Sequence, residues 1–226
     1  KDIDQLTINS KGTANLLLSM AALNRSERER LSYTRQELLA KCSFNKKDCD
    51  LQRDFRLTMD LNYGNCYTFN GNSSNQKATI RHGAQYGLRA VLYADTNNYI
   101  PVTEAVGFKV SIHQPGVVPF PEISGRTAPI GFMSTFAVQV KYSHRLGYPY
   151  SSCVKSGERP YQIEGQDSAL YSRELCFRHC QQKLTLSACG CLDLRLPNFF
   201  PERSRSFSST MFTITNSITI DLKRAV

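Results

Sequence analysis

The stretch Tyr63-Gly64-Asn65-Cys66-Tyr67-Thr68-Phe69-Asn70 marks the point at which the pattern of this 226-residue chain changes. Before it, from Thr13 to Tyr63, there is no glycine or proline, and Leu, Ala, Arg, Glu and Lys dominate the first part of that segment. From Cys66 onward, β-rich runs alternate with turn residues. We therefore predict an α+β fold, with helices before Cys66 and an antiparallel sheet after it.

Two segments have helical patterns. In the first, Leu16, Met20 and Leu23 share one face at helical spacing, and we expect breaks near residues 24–26 and around Cys42. In the second, between Ser168 and Leu186, Cys176 and Cys180 are one helical turn apart and would face the same side.

Three segments have strand patterns. Residues 88–93 are β-rich, and apolar residues alternate with polar ones over 108–113 and 136–142. Glycines and prolines between these runs supply the turns. The Ser/Thr-rich tail, residues 206–226, could add an edge strand.

The composition is that of a folded globular protein. Of the residues, 41% are hydrophobic and 21% are charged, and no long low-complexity run is present. The net charge is +9, but lysines and arginines are spread along the chain without a nucleic-acid motif. We therefore expect no nucleic-acid partner.

Cysteines carry more information than charge does. Their number and their crowding near the C-terminus indicate disulfides made in an oxidising compartment. The eight are Cys42, Cys49, Cys66, Cys153, Cys176, Cys180, Cys189 and Cys191. Two N-glycosylation sequons, beginning at Asn24 and Asn72, agree with that compartment. No apolar run reaches the ~20 residues that a membrane helix needs. Because an oxidised domain needs a way out of the cytosol, we expect either that the segment that delivers it has been removed or that the chain is a piece of something longer.

Other chemistries receive little support. A zinc site could use Cys176, Cys180 and His179, but the Cys189-Gly190-Cys191 pair leaves little room for the usual zinc knuckle. Four histidines are present without a nucleophile motif, and no glycine-rich phosphate loop occurs. We predict no enzyme activity and no catalytic, cofactor or metal site.

The ordered motifs resemble the degenerin/epithelial sodium channel family over about residues 42 to 201. The resemblance rests on the opening stretch, on Gly107–His113 and on the order of the cysteines. Further matching positions are Phe55, Gly87, Leu88, Tyr99, Pro119–Pro121, Arg145, Leu146, Pro149, Tyr150 and Tyr171. The pattern is more similar to the epithelial and peptide-gated branches than to the acid-sensing one. The stretch 95–99 carries a single acid, Asp95, where acid-sensing members have paired carboxylates.

The resemblance implies a hand-like channel ectodomain. Residues 1–65 would form a helical finger, 66–145 the β-ball and palm strands, and 146–201 the start of a disulfide-rich helical thumb. Residues 202–226 would be a divergent tail outside the family fold. Such a domain would lie outside the plasma membrane and pass ligand or mechanical input to a sodium-selective, amiloride-sensitive pore, whose helices are absent from this chain. Its partners would be homologous subunits in a homo- or heterotrimer, sodium ions and an extracellular peptide or other ligand.

The resemblance also implies a disulfide pattern. Cys42 would pair with Cys49, and Cys66 with a cysteine preceding Lys1. The partners of Cys153 and of the four later cysteines would follow Pro201. Without those partners, four of these five cysteines could instead pair with one another. An alternative function is a secreted or truncated, non-conducting form that binds channel subunits or a ligand.

Overall fold

The structure is a computed structural model that describes residues 4–71, 76–100, 105–143, 146–152, 161–163 and 166–200. The chain divides between Val106 and Gly107 into two compact units. The first unit contains α1 Gln5–Ala22, α2 Arg25–Leu31, α3 Arg35–Leu38, β1 Leu39–Phe44, β2 Lys47–Asp48, β3 Phe55–Asp60, β4 Gly64–Phe69, β5 Arg89–Leu92 and a 3-10 turn, Thr96–Asn98. The second contains β6 Gly107–Val110, α4 Pro121–Ser124, β7 Arg126–Pro129, β8 Tyr161–Ile163, β9 Gln166–Ala169 and α5 Arg173–Cys189.

Side-chain caps start the N-terminal helices. Asp4 caps α1 by accepting a hydrogen bond from the backbone N–H of Thr7. Asn24 and Thr34 each form a reciprocal capping box with the glutamate three residues later, at the starts of α2 and α3. Such caps satisfy backbone donors that a helix leaves unpaired at its first turn. The break predicted near residues 24–26 is confirmed.

Strand pairing is antiparallel throughout the described residues, in one three-stranded sheet (β2-β1-β5) and three two-stranded ones (β3-β4, β6-β7 and β8-β9). Between β1 and β2, Asn45 and Lys46 both have positive φ angles, of 53° and 63°. That geometry is the type I′ turn, whose twist matches that of the flanking strands.

Each unit has its own apolar core. In the first, Leu39, Cys42 and Phe55 are buried, and Phe69 packs against Phe44 and Phe55 with ring centroids 5.2 and 5.4 Å away. In the second, the core forms around Leu175 of α5, which is fully buried. Its other buried members are Val118, Phe120, Ile163, Ala169 and Phe199.

The predicted helix in residues 168–186 is confirmed as α5. Ser172 caps its first turn, and Gly190, with a φ of +68°, ends it in the left-handed conformation that glycine tolerates best. The predicted strands in residues 88–93 and 108–113 are confirmed in part, as β5 and β6.

Two strand predictions were wrong. Strands begin at Leu39 rather than at Cys66, so residues 1–65 are not helical throughout. A turn of two left-handed residues and a local disulfide hold the β1–β2 hairpin, and neither needs a long period-two pattern.

Residues 136–142 form no strand although their apolar residues alternate, because a strand also needs a backbone partner. Val138 and Val140 are accordingly exposed. The predicted tail strand lies outside the described residues.

The described residues lack two features. None of their helices combines the length and the apolar character that crossing a bilayer requires. In the same part of the chain, no group of three or more His, Cys, Asp or Glu side chains is placed to hold a metal ion.

Candidate functional site

The stretch Tyr63–Asn70 forms the turn into β4 and the whole of that strand, and we call it the β4 motif. Its first strand residue, Gly64, has a φ of +70°, a conformation that favours glycine. The preceding turn is held by Asp60, whose carboxylate accepts hydrogen bonds from the backbone N–H groups of Asn62 and Tyr63. The six residues of β4 then pair in continuous register with β3.

Asn65 joins the β4 motif to the end of α2. Its side-chain Nδ2 donates to the backbone oxygens of Glu29, Ser32 and Tyr33, at 2.9, 3.3 and 3.2 Å. These carbonyls lie at and just beyond the C-terminus of α2, where helix geometry leaves them without internal donors. Asn65 therefore caps a helix more than thirty residues away in sequence.

We expect Asn65→Ala to destabilise the first unit by about 2 kcal/mol, because the backbone oxygens of Glu29 and Ser32 lose their Asn65 donor, whereas that of Tyr33 keeps the Tyr67 hydroxyl. Urea unfolding of the purified chain measures the loss. Asn62→Ala is the matched control, since Asn62 is exposed in the adjacent turn and its backbone makes the turn hydrogen bond. Equal stability of the two variants would contradict the capping role.

Gly64→Ala should also be destabilising, by about 1–3 kcal/mol, because a left-handed conformation is strained for alanine. The new Cβ would in addition lie 2.8 Å from the Oγ of Ser32. Removing that hydroxyl with Ser32→Ala should recover part of the loss, whereas the φ-dependent part should remain. Unfolding of the single and double variants separates the two causes, and a double variant no more stable than Gly64→Ala would rule out the clash.

Tyr67 and Phe69, two residues apart on β4, contact different parts of the first unit. The hydroxyl of Tyr67 donates to the backbone oxygen of Tyr33 at 2.7 Å, and the guanidinium of Arg35 lies 5.6 Å from the Tyr67 ring centroid. Burial raises the pKa of Tyr67. Phe69 enters the core between Phe44 and Phe55. The β4 motif thus fastens both the helices before it and the hairpin beside it.

Asn70 ends the motif with a positive φ of 60°. Its side chain bridges to Lys77, accepting from the Lys77 backbone N–H at 2.7 Å and donating to the Lys77 carbonyl at 3.0 Å. The Lys77 ammonium forms an ion pair with Asp54, whose carboxylate is almost completely buried. The sequence analysis missed this ion pair, because twenty-three residues separate its partners and no local pattern connects them.

Cys66, at the centre of the motif, is a free thiol. It faces Thr58 in the β3–β4 register, and burial, together with the nearby Asp60 carboxylate, raises its pKa to about 12. A thiol held protonated in this way is a poor nucleophile and metal ligand. Its chemistry therefore favours a structural role over a catalytic one.

Other cysteines lie in both units. Cys42 and Cys49 form a disulfide across the β1–β2 hairpin. Cys189 and Cys191 are bonded to each other, whereas the sequence resemblance assigned both to partners after Pro201. The left-handed turn at Gly190 brings the two Cα atoms to 5.3 Å.

Cys176 and Cys180 are free thiols on α5, and Cys153 lies outside the described residues. Burial and a hydrogen bond with Cys176 raise the pKa of Tyr161 to about 12. His179, which the sequence offered as a zinc ligand, packs between Tyr161 and Phe199 in tilted and edge-on contacts. Each of these two ring centroids is 5.0 Å from that of His179. Its ring thus contributes to packing.

Of the two sequons, the one at Asn24 lies within the described residues. Asn24 is exposed at the start of α2. Asn72 lies outside the described residues.

A mixed helical and antiparallel architecture with local disulfides is typical of protein modules that fold in an oxidising compartment. Within that class, the family model described as amiloride-sensitive sodium channel matches residues 4–217. The chain belongs to this family, that of the degenerins and epithelial sodium channels. The family is one of ion channels rather than of enzymes.

Curated relatives agree with this assignment. The degenerin-like protein unc-105 of Caenorhabditis elegans is 44% identical over 194 residues, which are 86% of this chain and 22% of the relative. Degenerin unc-8 of the same nematode is 42% identical over 197 residues, or 87% of this chain and 25% of the relative. Degenerin mec-10 is 39% identical over 195 residues, or 86% and 27%.

The chain thus spans about a quarter of the length of these relatives. They are named degenerins, whereas the sequence pattern was more similar to the epithelial and peptide-gated branches. The family match also extends to residue 217, past residue 202, where a divergent tail was expected to begin.

Proposed function

We propose that this chain is part of the extracellular domain of a sodium-channel subunit at the plasma membrane. In this proposal the domain passes ligand or mechanical input to a trimeric, sodium-selective pore built by helices outside the chain. Its partners are homologous subunits in a homo- or heterotrimer, together with an extracellular peptide or other ligand. The family match over residues 4–217 is the observation that carries the proposal.

The packing around the β4 motif supports a mechanical role. Asn65 and Tyr67 join β4 to the end of α2 and to the connection between α2 and α3, and Asn70 joins the same strand to Lys77 and so to Asp54. Packed elements of this kind switch between arrangements rather than deform smoothly. In the proposed hand-like arrangement, residues 1–65 form the finger, 66–145 the β-ball and palm, and 146–201 the start of the thumb.

The free thiols of Cys66, Cys176 and Cys180 also support the assignment to a channel ectodomain. We assign to Cys66 a disulfide partner that precedes residue 1, and to Cys153, Cys176 and Cys180 partners that follow residue 201. Cys66 is half-buried on β4, where a disulfide would join this strand to a further segment of the subunit.

A graft tests the proposal. Residues 1–201 replace the matching segment of a complete, conducting degenerin, and amiloride-sensitive sodium current and surface labelling are recorded in the same cells. We expect current from the graft, and from its Asn62→Ala control. The Cys66→Ser graft should lose both current and surface expression. A graft that reaches the surface without current would overturn the proposed function, and a fully active Cys66→Ser graft would overturn the assigned disulfide.

A further inference from the structure

Asn24 opens the tripeptide Asn24-Arg25-Ser26, an acceptor sequence for N-linked glycans, and the structure describes all three residues. Asn24 is exposed, and so are Arg25 and Ser26. A glycan acceptor has to present its side-chain amide to a large enzyme and then carry a bulky sugar in solvent. Exposure satisfies the second of these requirements in the folded protein.

The hydrogen bonds of Asn24 leave the reactive atom available. Its side-chain Oδ1 accepts from the backbone N–H of Glu27 and from the hydroxyl of Ser26, both at 2.9 Å. Its backbone N–H donates to the Glu27 carboxylate at 2.9 Å. In the part of the chain that the structure describes, no residue accepts a hydrogen bond from the Asn24 Nδ2.

We propose that Asn24 is a glycosylation site whose sugar is attached through Nδ2 while Oδ1 continues to cap α2. The donor is a lipid-diphosphate-linked oligosaccharide. Nδ2 forms a bond to the anomeric carbon of the first sugar, the bond from that carbon to the diphosphate oxygen breaks, and one amide proton is released. The product is still an amide, with its carbonyl oxygen and one N–H.

The helix cap therefore uses the Oδ1 of Asn24, and the sugar uses its Nδ2. An N-cap oxygen is worth about 1 kcal/mol to its helix, and a glycan that used or blocked that oxygen would cost the same amount. At Asn24 neither happens, because the capping acceptor is Oδ1. The glycan would project from the start of α2, next to the exposed side chain of Arg25.

This inference rests on the extracellular placement proposed above. The complete subunit is expressed in animal cells, and its electrophoretic mobility is compared before and after removal of N-linked glycans. Three variants are matched: Asn24→Asp, which keeps a capping oxygen but loses the acceptor nitrogen; Ser26→Ala, which loses the sequon and keeps Asn24; and Ser26→Thr, which keeps the sequon.

We expect the wild type and Ser26→Thr to carry one glycan more than Asn24→Asp and Ser26→Ala. Surface labelling of the subunit, or a glycan at another of its sequons, shows that the subunit entered the compartment where glycans are attached. If it did, identical mobility of all four proteins would overturn the proposal. A subunit with neither surface labelling nor any glycan would contradict the extracellular placement as well, so the two failures are distinguishable. Asn24→Asp should match the wild type in urea stability when both are produced without glycans, because aspartate caps helices as well as asparagine does.

Discussion

Replacing Arg178 with methionine should destabilise the second unit by about 3 kcal/mol. Breaking a buried ion pair by removing one partner typically costs about 3–5 kcal/mol. Arg178 is buried, and its guanidinium bonds the carboxylates of Glu122 and Glu174 at 2.6 and 2.8 Å while lying 4.1 Å from the Phe120 ring centroid. Both glutamate side chains are about one-third exposed and can regain water, which places the expected cost at the lower end of that range.

Methionine is a suitable replacement because it keeps most of the apolar stem that packs against the core. Arg173→Met is the control, since Arg173 is exposed on the same helix, five residues earlier. Urea unfolding of the chain measures both variants. Arg178→Lys should fall between Arg178→Met and the wild type, because one ammonium cannot make the forked contacts of a guanidinium. A Met variant as stable as its control would show that the ion pairs contribute nothing.

Local signals made the helices predictable. The break at Asn24 follows from a capping box that is visible in the sequence as Asn24 and Glu27, and α5 ends at a glycine, Gly190. Both devices involve residues three to five positions apart, so a single sequence contains the whole interaction.

Long-range partners were not predictable from the same sequence. Gly64 and Asn65 were singled out as motif residues, but their contacts with Ser32 and Tyr33 join positions about thirty residues apart. Residues 136–142 show the reverse case, in which a clear period-two pattern has no ladder partner among the described residues. Periodicity reports which faces a strand would present, and pairing depends on a second strand.

The β4 motif gains a physical meaning from these contacts. Its glycine allows a left-handed turn, Asn65 caps a helix, Phe69 fills a core and Asn70 holds a loop. Each role requires a particular side chain at a particular place along one strand. The motif is therefore better explained by the elements that it fastens than by any chemistry of its own.

Lys77→Met should destabilise the first unit by about 3 kcal/mol at neutral pH, because it leaves the buried carboxylate of Asp54 without its ammonium partner. Burial by itself would raise the pKa of Asp54. Hydrogen bonds from Lys77 and from the Asp50 backbone, with the positive charges of Lys77 and Arg53, outweigh burial and hold that pKa below its ordinary value. The stability gained from a lowered pKa is present above the unfolded pKa, about 3.9, and is lost as the pH falls through the folded one.

The loss caused by Lys77→Met should therefore depend on pH. Without the ammonium, the pKa of Asp54 is higher than in the wild type and the carboxylate takes up a proton more readily. The difference in unfolding free energy between wild type and variant should therefore shrink as the pH falls from neutral toward and below about 4. Urea unfolding at pH 7 and at acid pH measures that difference. Lys47→Met, at an exposed lysine of β2, is the control, and it should be neutral at both pH values. A pH-independent loss in Lys77→Met would mean that packing of the lysine stem, rather than its charge on Asp54, stabilises this loop.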